Sequence, residues 1–172
     1  MSAPRLHASY LELDPVAWDA LVGDESPFLE HAYLAGLEAT GCASPETGWR
    51  AAPVTLWEGE RLVAALPAWI VDHSRGQFVY DHAWAEAAAT HPILYHPKVV
   101  VGVPFTPATG ARLLIAPDED RLRRVRELLT AARLRWPRVG GAHVLFHPED
   151  EGAAFAAQGY FPRIQFQFHW KD

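Results

Sequence analysis

The fold is decided by residues 95–114, which read YHPKVVVGVPFTPATGARLL. The valines of this stretch predict a buried strand, because an uninterrupted run of β-branched residues is typical of strands that are covered on both faces. Polar residues precede the strand, and Pro104, Pro107 and Gly110 turn the chain into a loop after it. Ligands commonly bind where a buried strand ends in such a loop. The stretch therefore predicts a central strand with a cleft at its ends.

The composition is that of one globular domain. The chain has 172 residues, of which 49% are hydrophobic, and this is ample for a single core. The formal net charge of −6 argues against a general nucleic-acid surface or an anionic-membrane surface. We therefore expect no DNA partner, although a local basic patch remains open.

The chain carries no sign of export. Cys42 is the only cysteine, so an intrachain disulfide is impossible. The first residues, MSAPRLHASYLELDP, lack the apolar segment of a signal peptide, and no window approaches the roughly 18 apolar residues of a membrane span. These features predict a cytoplasmic protein.

Hydrophobic periodicity and turn residues predict the other elements. Strands are predicted at 6–13, 77–84, 99–103, 142–146 and 164–170, with a hairpin over 49–72 that turns at 58–60. Helices are predicted after Asp14-Pro15 and after Ser26-Pro27, at 118–136 and at 149–158, with a helical turn at 85–90. Pro67 lacks an N–H group, which indicates an edge or a bulge. This order predicts an α/β (α+β) domain with a mixed sheet covered by helices.

The last predicted strand has two distinct faces. Strict alternation over 164–170 places Phe166, Phe168 and Trp170 on one face and Gln165, Gln167 and His169 on the other. The aromatic face suits a core, and the polar face suits a cleft or a contact with a partner.

The order of elements resembles the GNAT N-acyltransferase fold, and four segments resemble its FemAB-like branch. These segments are SPFLEHAYLAGLEATGC, TGWRAAPVTLWEGERLVAALPAWIVDHSRGQFVYDHAWAEA, YHPKVVVGVPFTPATGARLL and QGYFPRIQFQFHW. The resemblance implies a largely antiparallel, mixed sheet with helices on both faces. It also implies a bacterial-type peptidoglycan-biosynthesis protein that transfers an acyl or aminoacyl group to a small-molecule or peptide-like amine. The implied donor is an acyl-CoA such as acetyl-CoA, or an aminoacyl-tRNA.

The resemblance also implies a protein of two GNAT-like halves, of which this chain matches the first. Residues 1–172 are thus expected to be a single GNAT-like domain and the N-terminal half of a longer protein. The expected partner is a second GNAT-like half, or another copy of the chain through self-association. A non-catalytic half that binds a ligand or acts as a scaffold for its partner is the alternative function.

One segment departs from the pattern of CoA-dependent GNAT enzymes. Those enzymes usually hold the donor pyrophosphate on a Gln/Arg-x-x-Gly-x-Gly/Ala loop at a helix N-terminus. The corresponding sequence here is PFTPATGARLLIAPDED, and its predicted helix begins with three carboxylates, Asp118, Glu119 and Asp120. Carboxylates repel a pyrophosphate, so the sequence predicts that this half lacks the usual donor loop.

Two groups of polar residues are candidates for the site. Asp81, Tyr95 and His96 are candidate catalytic residues, because they offer donors, acceptors and an imidazole that titrates near neutrality. Lys98, Thr106, Thr109 and Arg112 are candidate substrate-binding residues around the central strand. For both groups the alternative is a structural role. Hydroxyl groups in loops often form hydrogen bonds with their own backbone, and structural ion-pair networks contain the same residue types.

Metal and phosphate sites are less well supported. His143 and His147 share a strand face, but four residues of strand separate them by about 13 Å, so no metal site is expected. Arginines at 121, 123, 124, 126, 133, 135 and 138 could meet donor phosphates. Their spread around the helix favours a solvated face balanced by acidic neighbours.

Overall fold

The computed structural model describes residues 2–24, 26–136, 138–164 and 170. In these ranges the strands are β1 (Ala3–Leu6), β2 (Trp49–Ala51), β3 (Val54–Glu58), β4 (Arg61–Leu66), β5 (Ala68–Val71), β6 (Lys98–Val101), β7 (Leu114–Ile115) and β8 (Ala142–Val144). The helices are α1 (Pro15–Val22), α2 (His31–Ala39), α3 (His82–Thr90), α4 (Arg121–Arg135) and α5 (Glu149–Ala156). Most of the predicted strand at 164–170 lies outside the described residues.

The strands form two sheets of four, in the orders β1-β3-β4-β7 and β2-β5-β6-β8. Every described pair is antiparallel except β6 with β8, which is parallel. The N–H of Ala52 bonds to Ala68 and the N–H of Gly102 bonds to Pro67, each at 2.9 Å, so the pairing of β5 with β2 and β6 continues to Pro67, the single residue that joins β5 to β4. The two sheets are thus successive parts of one layer. Pro67 separates β4 from β5, and loop 102–113 separates β6 from β7.

Both faces of this layer are buried. Val99 and Val101 of β6 join a hydrophobic cluster that contains residues of α4 and α5, whereas Val100 joins a second cluster with α1 and α2. All three valines are at most 1% exposed. Each buried valine contributes roughly 1.5–3 kcal/mol of hydrophobic stabilisation, which is why the strand consists of apolar residues without alternation. The predicted class, a mixed and largely antiparallel layer with helices on both faces, is confirmed.

The helices follow their predicted signals where a side chain caps them. Asp14 accepts hydrogen bonds from two N–H groups at the start of α1, and Asp120 accepts one from the N–H of Arg123 in α4. Ser26 makes no such bond, so its proline begins only a 3₁₀ turn, Pro27–Leu29, and α2 starts later. Among the described residues, the structure contains no helix with the length and apolar character that a membrane crossing requires.

The predicted strand at 6–13 is wrong. Strand β1 ends at Leu6, and Tyr10–Glu12 is a 3₁₀ turn that the hydroxyl of Ser9 caps. The turn buries the Tyr10 ring completely, with its centroid 5.6 Å from that of Trp18. Burial of this aromatic ring favours the turn over a continued strand.

The predicted strand at 77–84 is also wrong. The chain reaches α3 through an irregular segment over 72–81, in which Phe78 has a φ of 54° that no strand residue adopts. Asp81 precedes α3 but makes no hydrogen bond to the helix N-terminus. Its carboxylate instead pairs with Lys98, so a long-range ion pair fixes the path of this segment.

Candidate functional site

A buried ion pair lies at the beginning of β6. The side chains of Lys98 and Asp81 are both 0% exposed, and the Lys98 ammonium donates a hydrogen bond to Oδ2 of Asp81. Tyr95 donates its hydroxyl to the same oxygen at 2.7 Å. Ser74 accepts a second hydrogen bond from Lys98 at 3.0 Å and lies 3.2 Å from Nε2 of His96. We call Ser74, Asp81, Tyr95, His96 and Lys98 the Lys98 cluster.

The strand register brings His143 to this cluster. Lys98 and Val100 share one face of β6, because side chains alternate along a strand. Val100 is paired with His143 in the parallel strand β8, so the imidazole lies on the face of Lys98. The Tyr95 ring packs edge-on against His143, with 5.9 Å between the ring centroids.

Burial and hydrogen bonding set the charges of the ion pair. Burial would raise the pKa of Asp81, but the hydrogen bonds from Lys98 and Tyr95 outweigh it and hold the pKa well below its usual value. Burial lowers the pKa of Lys98, and the neighbouring Asp81 opposes that shift. Burial, together with the hydrogen bond to Asp81, raises the pKa of Tyr95. At neutral pH the cluster thus holds a carboxylate, an ammonium and a protonated phenol.

His96 of the Lys98 cluster and the neighbouring His143 are both held neutral. Burial lowers the pKa of His143 to about 4, and the positive charge of Lys98 acts in the same direction. Burial and Lys98 also lower the pKa of His96. A neutral imidazole has one nitrogen that accepts a hydrogen bond or a proton, so His143 and His96 can both act as acceptors at pH 7.

A groove of about 1470 Å³ runs along β8, and we call it the β8 groove. Tyr95 and His143 line it near its start, where the N–H of Gly140 bonds to Pro97 at 2.8 Å. Thr109 lines its other end, where the N–H of Gly110 bonds to Phe146 at 3.1 Å. The groove thus joins the Lys98 cluster to the loop after β6.

The wall of the groove combines aromatic and cationic side chains. Trp84 and Phe161 line it and are 52% and 74% exposed. The guanidinium of Arg163 stacks on the Trp84 ring, 5.5 Å from its centroid, and Arg133 also lines the groove. These groups give the groove a stacking surface and positive charge, both suited to an extended, anionic ligand.

The predicted site residues fall into two groups. Asp81, Tyr95, His96 and Lys98 come together in one hydrogen-bonded cluster. Thr106, Thr109 and Arg112 lie away from it, in loop 102–113. Only Thr109 of these three lines the groove, because Thr106 is 9% exposed and bonds to Tyr33 and to its own loop.

Arg112 occupies a structural position. It is 1% exposed and donates hydrogen bonds to the backbone oxygens of Ala108, Gly110, Ala111 and Leu145. The carboxylate of Glu151 accepts the N–H groups of residues 112 and 113 from the other side. This geometry favours a role in holding loop 102–113 over the ligand contact that the sequence suggested.

Replacing Arg112 by methionine is expected to destabilise the protein by about 3 kcal/mol, because buried carbonyl oxygens lose their donors. The change keeps a long side chain and removes only the guanidinium. Urea unfolding measures the effect, and exposed Arg126→Met is the control, with an expected change below about 0.5 kcal/mol. A stable Arg112→Met variant with weakened ligand binding would instead support a direct contact between Arg112 and the ligand.

The N-terminus of α4 is occupied by its own side chains. Asp120 accepts the N–H of Arg123, Asp118 pairs with Arg61, and Glu119 pairs with the buried Arg124 at 2.7 Å. Negative charge at this helix N-terminus disfavours a bound pyrophosphate there. Arg124 also contacts Glu58 and Glu127, so this part of the arginine-rich helix is a structural network.

Comparison with protein families identifies the chain. The profile of the FemAB-like family, described as peptidoglycan biosynthesis/recognition, matches residues 9–172. The chain belongs to the FemAB-like family. No curated protein sequence matches it.

Solved structures show the fold that this FemAB-like chain shares. A GCN5-related N-acetyltransferase from Ralstonia eutropha JMP134 is similar with a TM-score of 0.54 and 14% identity, over 99% of both chains. A Trypanosoma brucei acetyltransferase has a TM-score of 0.43 and 10% identity, over 98% of this chain and 99% of its own. The first of these similarities shows a GNAT fold.

Sequence reasoning missed two members of this FemAB-like site, His143 and Ser74. From the sequence, His143 is a candidate only for a metal ligand, although a histidine between Ala142 and Val144 must face away from these two apolar neighbours. Ser74 lies in an irregular segment without a local signal. Among the described residues, no group of three His, Cys, Asp or Glu side chains could hold a metal ion, and the absence of a metal stays a prediction.

The backbone of Gly140 lies close against the backbone of Leu94 and Tyr95. A Cβ atom at Gly140 would lie 2.3 Å from the Leu94 oxygen and 2.6 Å from the Tyr95 carbonyl carbon, so backbone would have to move. We expect Gly140→Ala to destabilise the protein by about 1–3 kcal/mol in urea unfolding. Gly141→Ala is the matched control, because a Cβ there meets nothing within 4 Å. Equal stability of the two variants would contradict the close packing of Gly140 against Leu94 and Tyr95.

His143 should make stability depend on pH. Its pKa is about 4 in the folded protein against an ordinary 6.5, so the unfolded chain takes up the proton first as the pH falls. The free energy of unfolding is highest above pH 6.5, where His143 is neutral in both the folded and the unfolded chain. This stability decreases as the pH falls from 6.5 to 4. Unfolding at pH 5 should therefore cost about 2 kcal/mol less than at pH 7 on account of His143. In chemical denaturation, the free energy of unfolding of His143→Gln should fall by about 2 kcal/mol less than that of the wild type between pH 7 and pH 5. The same pH dependence in both proteins would contradict the lowered pKa of His143.

Proposed function

We propose that this FemAB-like domain transfers an acyl or aminoacyl group to an amine acceptor in peptidoglycan biosynthesis, with the β8 groove as its site. The observation that carries the proposal is the contact between an open groove and a buried, ionised cluster through Tyr95 and His143. Family membership and the GNAT fold support the reaction class. The family description supports the peptidoglycan-related acceptor.

The groove residues supply what aminolysis needs. The nitrogen of the acceptor attacks the carbonyl carbon of the donor, a C–N bond forms, and the bond to the thiol or alcohol leaving group breaks. The attacking nitrogen becomes acidic as it bonds to carbon, so even the weakly basic imidazole of His143 can accept its proton. The leaving thiolate or alkoxide takes up a proton in turn. Tyr95 orients His143 by ring contact, while Asp81 and Lys98 fix Tyr95.

The usual pyrophosphate position does not fit a CoA donor here. Asp118, Glu119 and Asp120 occupy the N-terminus of α4 with ion pairs and a helix cap. The proposed place for an acyl-CoA or aminoacyl-tRNA donor is the β8 groove, whose residues Arg133 and Arg163 are cationic.

A donor and acceptor panel tests this function. The chain is incubated with acetyl-CoA, longer acyl-CoAs or aminoacyl-tRNA together with lysine-containing peptides, and mass spectrometry detects the acylated amine. The expected result is product with at least one donor, and its loss in His143→Gln. Product formation that is unaffected by changes in the groove, or no product with any donor, would contradict the proposal.

The acidic start of α4 supports a second candidate, a non-catalytic half that binds a ligand or a second GNAT-like half. In this case the groove binds an amine-containing ligand without transferring a group to it. Sedimentation of the chain with and without a candidate partner half separates the two functions. Partner-dependent association without turnover would support the scaffold.

A further inference from the structure

His147 lies between β8 and α5, at the end of the β8 groove that Thr109 also lines. Phe146, directly before it, has a φ of 54°, which lies in the left-handed region that few residues other than glycine adopt. The oxygen of Phe146 accepts the N–H of Gly110 at 3.1 Å, and this bond holds the turn against loop 102–113. His147 therefore follows a strained turn, a backbone feature that is common at ligand sites.

The imidazole of His147 is fixed by its surroundings. Its Nδ1 atom lies 2.8 Å from the backbone oxygen of Pro148. A carbonyl oxygen only accepts hydrogen bonds, so Nδ1 donates and carries a proton. The ring packs against Phe155, with 5.5 Å between the ring centroids, and a Cβ atom at Gly152 would lie only 3.3 Å from Cε1 of the imidazole. These contacts set both the orientation and the tautomer of the ring.

Nε2 of His147 is an accessible acceptor. A neutral imidazole carries one proton, so a proton on Nδ1 leaves the lone pair of Nε2 free. Among the described residues, Nε2 makes no hydrogen bond, and it does not belong to the fully buried side-chain atoms that lack a partner. Thr109 is exposed at the same end of the groove. This end thus presents an acceptor of fixed direction to a bound ligand.

We propose that His147 binds the acceptor molecule, and that its Nε2 accepts a hydrogen bond from an amide N–H or a hydroxyl group of that ligand. Amides and hydroxyls are uncharged donors of the same chemistry, and a fixed imidazole needs little further ordering to bind either of them. This role rests on the proposed function, whereas the tautomer does not. His143, near the start of the groove, is the proposed base, so His147 contacts a part of the acceptor away from the reacting nitrogen.

Nitrogen-15 NMR of the full chain at pH 8, where an ordinary histidine is neutral, tests the proposal. His147 should show a protonated Nδ1 and an unprotonated Nε2 in long-range correlations between ring protons and nitrogens. Two probes carry a primary amine: an acetylated, amidated peptide of one lysine and three alanines offers amide N–H groups, and 2-aminoethyl cellobioside offers hydroxyl groups. At least one probe should shift the Nε2 resonance saturably, and the probe that does so identifies the donor. A protonated Nε2 in the free chain, or an Nε2 signal that neither probe shifts, would overturn the proposal.

Kinetics separates this site from the proposed function. His147→Asn keeps a donor in the place of Nδ1 and has no atom in the place of Nε2. We expect it to raise KM for the probe that shifts Nε2 by about tenfold, with little change in kcat, since the contact is the same before and during the reaction. His147→Gln, whose amide oxygen can replace Nε2, should raise KM less. An unchanged KM in folded His147→Asn would overturn the site, whereas a shifted Nε2 signal without turnover would contradict the proposed function alone.

Discussion

Replacing Lys98 by methionine is expected to lower the free energy of unfolding by about 3–5 kcal/mol at pH 7, because it leaves a buried carboxylate without its counterion. Lys98 and Asp81 are both fully buried, so water cannot take over the lost interaction. Oδ1 of Asp81 already has no hydrogen-bond donor among the described residues, which increases its dependence on the ammonium. Methionine preserves most of the side-chain volume, and urea unfolding gives the change.

A double variant separates charge from packing. Asp81→Asn combined with Lys98→Met removes both charges and should recover a large part of the loss, since the penalty comes from the unpaired charge. Arg50→Met breaks the exposed ion pair with Asp72, in which the atoms are 2.7 Å apart, and should cost less than about 1 kcal/mol. If Lys98→Met cost no more than Arg50→Met, the buried pair would not organise this region.

Replacing His143 by glutamine is expected to reduce the rate of acyl transfer by about 10²–10⁴-fold, the usual range for a general base. Glutamine can still form hydrogen bonds but cannot take up a proton near neutral pH. The effect should appear mainly in kcat, because the proton moves only after the amine attacks the carbonyl carbon. Steady-state kinetics with the donor identified by the panel measures it.

His82→Gln is the matched control for His143→Gln. His82 is the exposed first residue of α3 and follows Asp81 directly in the chain. The His82→Gln variant should retain wild-type kinetics and stability. A similar loss of activity in both variants would point to a general effect of removing an imidazole. Full activity in folded His143→Gln would exclude His143 as the base.

The central strand and the nearby polar residues could be predicted from local sequence. A run of valines specifies a strand buried on both faces, and Tyr95, His96 and Lys98 are neighbours in the chain. Asp81 was a candidate, but its pairing with Lys98 depends on the irregular path of residues 72–81, which no short-range pattern encodes. The predicted strand at 77–84 failed for the same reason.

Other parts of the site depend on long-range register. His143 reaches the Lys98 cluster because β8 pairs in parallel with β6, and such pairing is set by tertiary packing. From the sequence, Arg112 is expected to contact a ligand, because its guanidinium can bind an anion. Its burial requires several backbone carbonyl oxygens to converge from loop 102–113 and from Leu145, which only the folded chain shows.

NMR can locate the binding site of the amine acceptor on the chain. Backbone amide shifts of the chain are recorded during a titration with a lysine amide whose α-amino group is blocked, so that a single primary amine is present. We predict saturable shifts confined to the start of the β8 groove, at Tyr95, Gly140, Gly141 and His143, with weaker binding in His143→Gln than in His82→Gln. Saturable shifts that cluster elsewhere, or no shifts along the groove at any concentration, would contradict the assignment of this groove as the acceptor site.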